Sequence, residues 1–178
     1  MQKSLGFTLI EVMITLAVAT IIMVIAIPAG KTMQANARIS SVANELAIDL
    51  KKTRASAITS RRNYTFLAIN PSVSANPWGN SGWRVTQQLG STTNTEFENK
   101  NTPSSVTVKA TLTSIVFSAA TGMVLDTTTG NAITNTLVFA VCDTKVNNET
   151  GYDVMINRFG QVQLIRHTGS NAAKCSSV

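Results

Sequence analysis

Residues 7–29 are apolar almost without interruption, and Glu11 is the one ionisable side chain among them. From 31 to 60 the pattern turns amphipathic. Ile39, Val42, Ala43, Leu46, Leu50 and Ala57 recur at helical spacing on one face, and Ile48 lies on the opposite side. This spacing predicts a helix laid against a sheet. After Arg61, Arg62 and Asn63 the period shortens to two. The alternation predicts strands at 64–69, 82–88, 106–110, 114–118, 136–142, 152–157 and 161–166. Turn-rich stretches separate them at 70–81, 90–103, 127–135 and 143–151. Arg158, Phe159 and Gly160 read as a tight turn between the last two strands. The pattern as a whole predicts an α+β protein, with one long N-terminal helix packed on an antiparallel β-rich head.

The apolar segment admits three readings. A cleavable secretory signal would use Lys3 as its basic region and Ala17, Val18 and Ala19 as its cleavage site. Against it, Glu11 falls inside the apolar region, which continues well past Ala19. An ordinary membrane span fits the length, and Lys3 would leave the N-terminus in the cytoplasm. That reading leaves Glu11 unexplained, although a carboxylate at such depth costs about 2.5–3.5 kcal/mol on insertion scales. The third reading rests on the order Gly6, Phe7, Thr8, Leu9, Ile10, Glu11. Pro28, near the end of the segment, is expected to break or kink the helix, or else to start the next one.

Composition changes the picture only a little. The 178 residues include 6% aromatic and 13% charged side chains. This suits an exported β-rich domain better than a cytosolic enzyme. The net charge of +6 permits an anionic partner without demanding one. Of two cysteines, Cys142 and Cys175, a pair in an exported domain is expected to bridge, the alternative being two free thiols. No convergent catalytic group is visible. The single histidine, His167, stands beside Arg166 and reads as solvated surface. Glu96 and Glu98 would share a face of any extended strand, but they sit in a polar stretch. No metal-ligand spacing and no phosphate-binding glycine loop occurs, so no metal and no cofactor is expected.

The stretch from Gly6 to Glu11 resembles the class III signal of type IV pilins and type II secretion pseudopilins. The resemblance implies that a prepilin peptidase cleaves between Gly6 and Phe7 and methylates the Phe7 nitrogen. Glu11 then becomes the fifth residue of the mature chain. There it would pair with the terminal ammonium of a neighbouring subunit during assembly. The head is similar to the GspH/FimT type across most of residues 61–166. The similarity is carried by 81–85, Ile115 to Ser118 with Gly122, 136–139 and the final hairpin at 157–163. Trp83, Phe117 and Phe139 are then core residues.

The implied fold is type IV pilin-like. Its parts are a leader at 1–6, a transmembrane and filament-core helix at 7–29, an amphipathic half at 30–60 and a periplasmic head at 61–178. The implied role is that of a minor type IV pilin, most like the FimU branch, in the tip complex that primes pilus assembly. Its partners would be other minor pilins, the major pilin, the prepilin peptidase and the inner membrane. The subunit would sit in that membrane before assembly and at the pilus tip afterwards. The alternatives are a GspH-like pseudopilin of a type II secretion system and a FimT-like DNA-binding pilin. DNA binding in that group uses a Gly-Arg-x-Arg motif. The corresponding stretch here is Gly160, Gln161, Val162, Gln163, which leaves Arg158, Arg166 and Lys174 as the nearby cations. So few cations would hold phosphate only weakly. Lys51, Lys52, Arg54, Arg61 and Arg62 point in several directions and read as solvated helix surface.

Overall fold

The computed structural model describes residues 7–70, 78–79, 81–89, 92–100, 102–143 and 151–167, the side chains of 25–29 and 167 excepted. Helix α1 spans Leu9–Ser60. It is followed by β1 (Tyr64–Ala68), β2 (Trp83–Leu89), β3 (Thr92–Asn99), β4 (Val106–Lys109) and β5 (Ser114–Phe117). Then come β6 (Val124–Asp126), β7 (Leu137–Asp143), β8 (Gly151–Ile156) and β9 (Val162–His167). Two compact units divide the chain, Met1–Ala35 and Asn36–Val178.

In the second unit the strands form two antiparallel sheets, ordered β3-β2-β1-β5-β6 and β4-β7-β8-β9. The helical face predicted from spacing is the buried one: Ile39, Val42, Ala43, Leu46, Leu50 and Ala57 join both sheets in a single core. Ile48 is exposed, as its place on the wheel requires. Strand β1 alternates between buried and half-buried positions, the signature of a sheet packed on one face. Trp83, Phe117 and Phe139 are buried, as expected of core residues. Phe66 stacks between Trp78 and Trp83, with centroids 5.9 and 6.3 Å away, and Phe139 meets Trp78 edge-on at 5.1 Å.

Four expectations need correction. Residues 92–99, placed in a turn-rich stretch, form β3. They carry little apolar alternation and are held as a strand by pairing with β2. Glu96 and Glu98 therefore lie on a strand, yet the register shift opposite Val85 and Thr86 makes Glu96 the extra residue of a bulge. Glu98 pairs across the sheet with Arg84 at 3.6 Å and with Lys100 at 2.6 Å, and the Lys100 contact holds its carboxyl below the ordinary value. A short strand, β6, lies where none was predicted. Helix α1 also remains helical through Pro28, so the break expected there is not a break in helical structure. A proline removes one amide donor, and the turns on either side keep theirs.

Candidate assembly site

The first unit begins with a helix start built by Thr8. Its Oγ1 faces the Glu11 amide at 3.4 Å, and its carbonyl accepts from the Glu11 and Val12 amides at 3.1 and 3.3 Å. Thr8 and Glu11 thus occupy the first and last places of a capping-box spacing, with the Glu11 carboxylate in the first turn. The positive end of the helix dipole favours an anion there. The Thr8-x-x-Glu11 spacing is the sequence signal for this helix start, and it directly follows the Gly6–Phe7 junction.

Beyond Glu11 the helix is apolar and uncovered. Twelve large apolar side chains from Phe7 to Val24 are between 46% and 83% exposed. Burying them would release roughly 20–35 kcal/mol at about 1.5–3 kcal/mol each. Glu11 and Phe7 are both exposed, four residues apart at the same end of the unit. Among the described residues no helix is long and apolar enough to cross a membrane. Gly6 lies outside the described residues, as does the side chain of Pro28.

In the head, the turn at 157–161 is tightly organised. Asn157 Oδ1 accepts the amides of Phe159 and Gln161 at 3.0 and 3.1 Å, and the Asn157 side chain donates to Gln161 Oε1 at 2.8 Å. Gly160 has φ 74°, a left-handed value that a side chain would strain. Arg158 is exposed in this turn. Arg166 is exposed on β9, paired with Tyr152 near the open end of the hairpin. Four or more residues of strand separate the two, about 13 Å at the usual rise. The structure does not gather them into one cluster. Lys174 lies outside the described residues.

The cations of the helix end divide in the same way. Lys51, Arg61 and Arg62 are exposed. Lys52 stands over the Phe97 ring at 4.5 Å, and half-buried Arg54 donates through Nε to the Gly122 carbonyl at 3.2 Å. For half-buried Arg54 the reading as solvated surface is corrected, since it ties the helix to the loop before β6, whereas Lys52 is exposed as expected. Cys142 is buried near the end of β7, while Cys175 lies outside the described residues. Among the described residues no group of three His, Cys, Asp or Glu could hold a metal ion.

Comparison with known proteins adds four likenesses. The family profile of the type II transport protein GspH matches residues 42–160, and that of the prokaryotic N-terminal methylation motif matches residues 1–27. The structure is similar to two crystal forms of the type IV minor pilin FimU of Pseudomonas aeruginosa. They have TM-scores of 0.55 and 0.53 at 21% and 22% identity, and cover 71% of this chain and 87% and 91% of theirs. It is also similar to the minor pseudopilin EpsH from the type 2 secretion system of Vibrio cholerae, with TM-score 0.53 and 9% identity, covering 72% of this chain and 97% of that one. At these identities the likeness shows the fold. No curated protein sequence matches the chain.

Proposed function

The chain belongs to the GspH family of minor pilins and pseudopilins, and we propose that within it the chain is a minor type IV pilin acting in the tip complex that primes fibre assembly. The family's subunits are structural, and the chain is not an enzyme. The observation that carries the proposal is the uncovered apolar helix with Glu11 in its first turn, directly behind the Gly6–Phe7 junction. An anchor of this kind is stable only in lipid or in the apolar core of a fibre. Counted with residues 25–29, whose side chains lie outside the described ones, the 7–29 segment is read here as the membrane span, with the head in the periplasm.

Cleavage after Gly6 would free the Phe7 nitrogen as a methylated ammonium. In an apolar fibre core that ammonium and the Glu11 carboxylate of a neighbouring subunit would each be penalised alone. Pairing them sets the axial register of the incoming subunit. The prepilin peptidase, the other minor pilins and the major pilin are its partners on this reading. A GspH-like pseudopilin is the second reading, favoured by the family profile that matches the head. A DNA receptor is less supported, since Gln161 and Gln163 stand where arginines would be needed and Arg158 and Arg166 are far apart.

The test combines a variant with a deletion. Glu11→Ala is expected to stay in the membrane fraction yet to be depleted from sheared fibres. Deletion of the chain is expected to remove surface fibres and to leave secretion of exoproteins intact. Undiminished incorporation of Glu11→Ala argues against the pairing. Lost secretion with normal fibres moves the chain to the pseudopilins.

A further inference from the structure

Three segments of the head meet at one end of it: 54–63 at the close of α1, 118–124 between β5 and β6, and 157–161 between β8 and β9. Their contacts are specific. Arg54 Nε donates to Gly122 O at 3.2 Å, the Val124 amide donates to Arg158 O at 3.0 Å, and the Ala119 amide donates to Asn63 Oδ1 at 2.8 Å. A methyl group on Gly160 would stand 2.7 Å from Gly122 O, and one on Gly122 would stand 2.7 Å from the Ile58 side chain. The backbones at Gly122 and Gly160 therefore touch, and the Arg54 and Ile58 side chains of α1 close against them. This end lies roughly 36 Å along α1 from Asn36, at 1.5 Å per residue.

The surface of this rigid end has an uncommon composition. Its segments carry Arg54, Arg61, Arg62 and Arg158 and no acidic residue. Phe159, next to Gly160 in the chain, is 55% exposed, and Ile58, which lies against Gly122, is 45% exposed. The Arg158 guanidinium stands 5.3 Å from the Phe159 ring centre, within reach of a cation–π attraction. The turn that presents Phe159 is fixed by the Asn157 bonds, so little ordering entropy remains to be lost on binding. An aromatic anchor with arginines around it on a preorganised backbone is the make-up of a protein-binding hot spot.

We propose that this arginine-rimmed end of the head, centred on Phe159 and Ile58, docks an acidic polypeptide surface of another protein. Charge chooses the occupant: exposed Arg61, Arg62 and Arg158, with no acid in the three segments, favour a partner whose contact residues are Asp and Glu around an apolar side chain. Nucleic acid is the less fitting anion. Arg54 is already committed to Gly122 O, so few cations remain for phosphates. Apolar Ile58 has nothing to gain from a phosphate backbone. The inference rests on the geometry of the head and stands whether the subunit serves a pilus or a secretion system.

The test uses the mature full chain in non-ionic detergent micelles. The probe is a synthetic peptide of Asp and Glu flanking one Leu and one Phe. Its counterpart has Lys at every acidic position. Calorimetric titration, with empty micelles as baseline, is expected to show binding of the acidic peptide alone. Affinity should fall about tenfold in Phe159→Ala. It should fall severalfold in Ile58→Ser, and severalfold in Arg158→Ala at low salt but less at high salt. All three side chains are exposed, and circular dichroism checks that the variants keep the fold. Equal binding of the two peptides overturns the proposal, as does an affinity unchanged in both Phe159→Ala and Arg158→Ala. Displacement of the peptide by duplex DNA, with DNA affinity indifferent to Phe159→Ala, also overturns it and assigns the arginines to phosphate.

Discussion

The indole of Trp83, at the start of β2, donates its Nε1 proton to Asp49 Oδ2 on α1 at 2.8 Å. The bond satisfies the one polar atom of a buried tryptophan and fixes the sheet to the helix. Burial raises the Asp49 carboxyl above its ordinary value of 3.8, against the opposing pull of the Trp83 bond and the Lys52 charge. The folded protein then keeps the Asp49 proton at pH values where the unfolded chain has lost it. Stability from this group therefore falls as pH rises from the ordinary carboxylate range through the raised value. Asp49→Asn keeps an acceptor and cannot ionise, so urea unfolding should show a flatter pH dependence in that window. Asp49→Ala leaves the indole donor without its acceptor and is expected to cost about 1–3 kcal/mol at every pH.

Gly160 offers a sharper test of the packing between the two sheets. Its φ is 74°, and an added methyl would meet Gly122 O and the Arg54 side chain at 2.6–2.7 Å. Gly160→Ala is expected to destabilise by about 2–3 kcal/mol, from left-handed strain and displaced neighbours together. Arg54→Ala alone should cost about 1 kcal/mol through the lost bond to Gly122. The double variant should cost less than the sum, because shortening Arg54 makes room for the new methyl. Simple additivity in denaturant unfolding would show that the two residues do not share this contact.

Arg61 ends the long helix in a conformation that suits glycine better. Its φ is 54°, and the following amide, that of Arg62, reaches back to Ala57 O at 3.3 Å. This is the bond that closes a helix whose next residue is left-handed. Arg61→Gly removes the steric penalty and adds freedom to the unfolded chain. The net gain is expected to be about 0.5–1 kcal/mol, read as a rise in the midpoint of urea unfolding. A loss of stability would mean that the Arg61 side chain makes a contact worth more than the strain.

The helix and most strands were legible because burial leaves a period. Leu46 and Leu50 repeat at the helical spacing because they face one core, and β1 alternates for the same reason. Strand β3 has no such period: Phe97 is its one apolar side chain, and pairing with β2 supplies the order that its own residues do not. Trp78 sits in a stretch read as turns, yet it is buried and its indole donates to Leu112 O at 2.6 Å. The order Gly6, Phe7, Glu11 could be read because it is a motif of consecutive residues, and the methylation-motif profile covers it. The Phe159 end of the head could not, because it joins residues 54, 122 and 160, which no local pattern relates.

The expected pairing of Cys142 with Cys175 is the last testable point. Cys142 stands in register with Gly151 and, across β8, with His167 at the end of β9. Two strand spacings separate β7 from β9, about 10 Å. Seven residues lie between His167 and Cys175 in the sequence, ample chain to return that distance. A bridge would therefore pin the C-terminal segment across the open end of this sheet. Closing the loop from Cys142 to Cys175 stabilises by about 3–4 kcal/mol on the chain-entropy model. Mass spectrometry of a non-reduced digest should recover the two cysteines in one linked peptide. Cys175→Ser should lower the urea midpoint by a matching amount and leave Cys142, which is buried, slow to react with a thiol reagent until the protein unfolds. Two separate cysteine peptides in the non-reduced digest would remove the bridge from the description of the head.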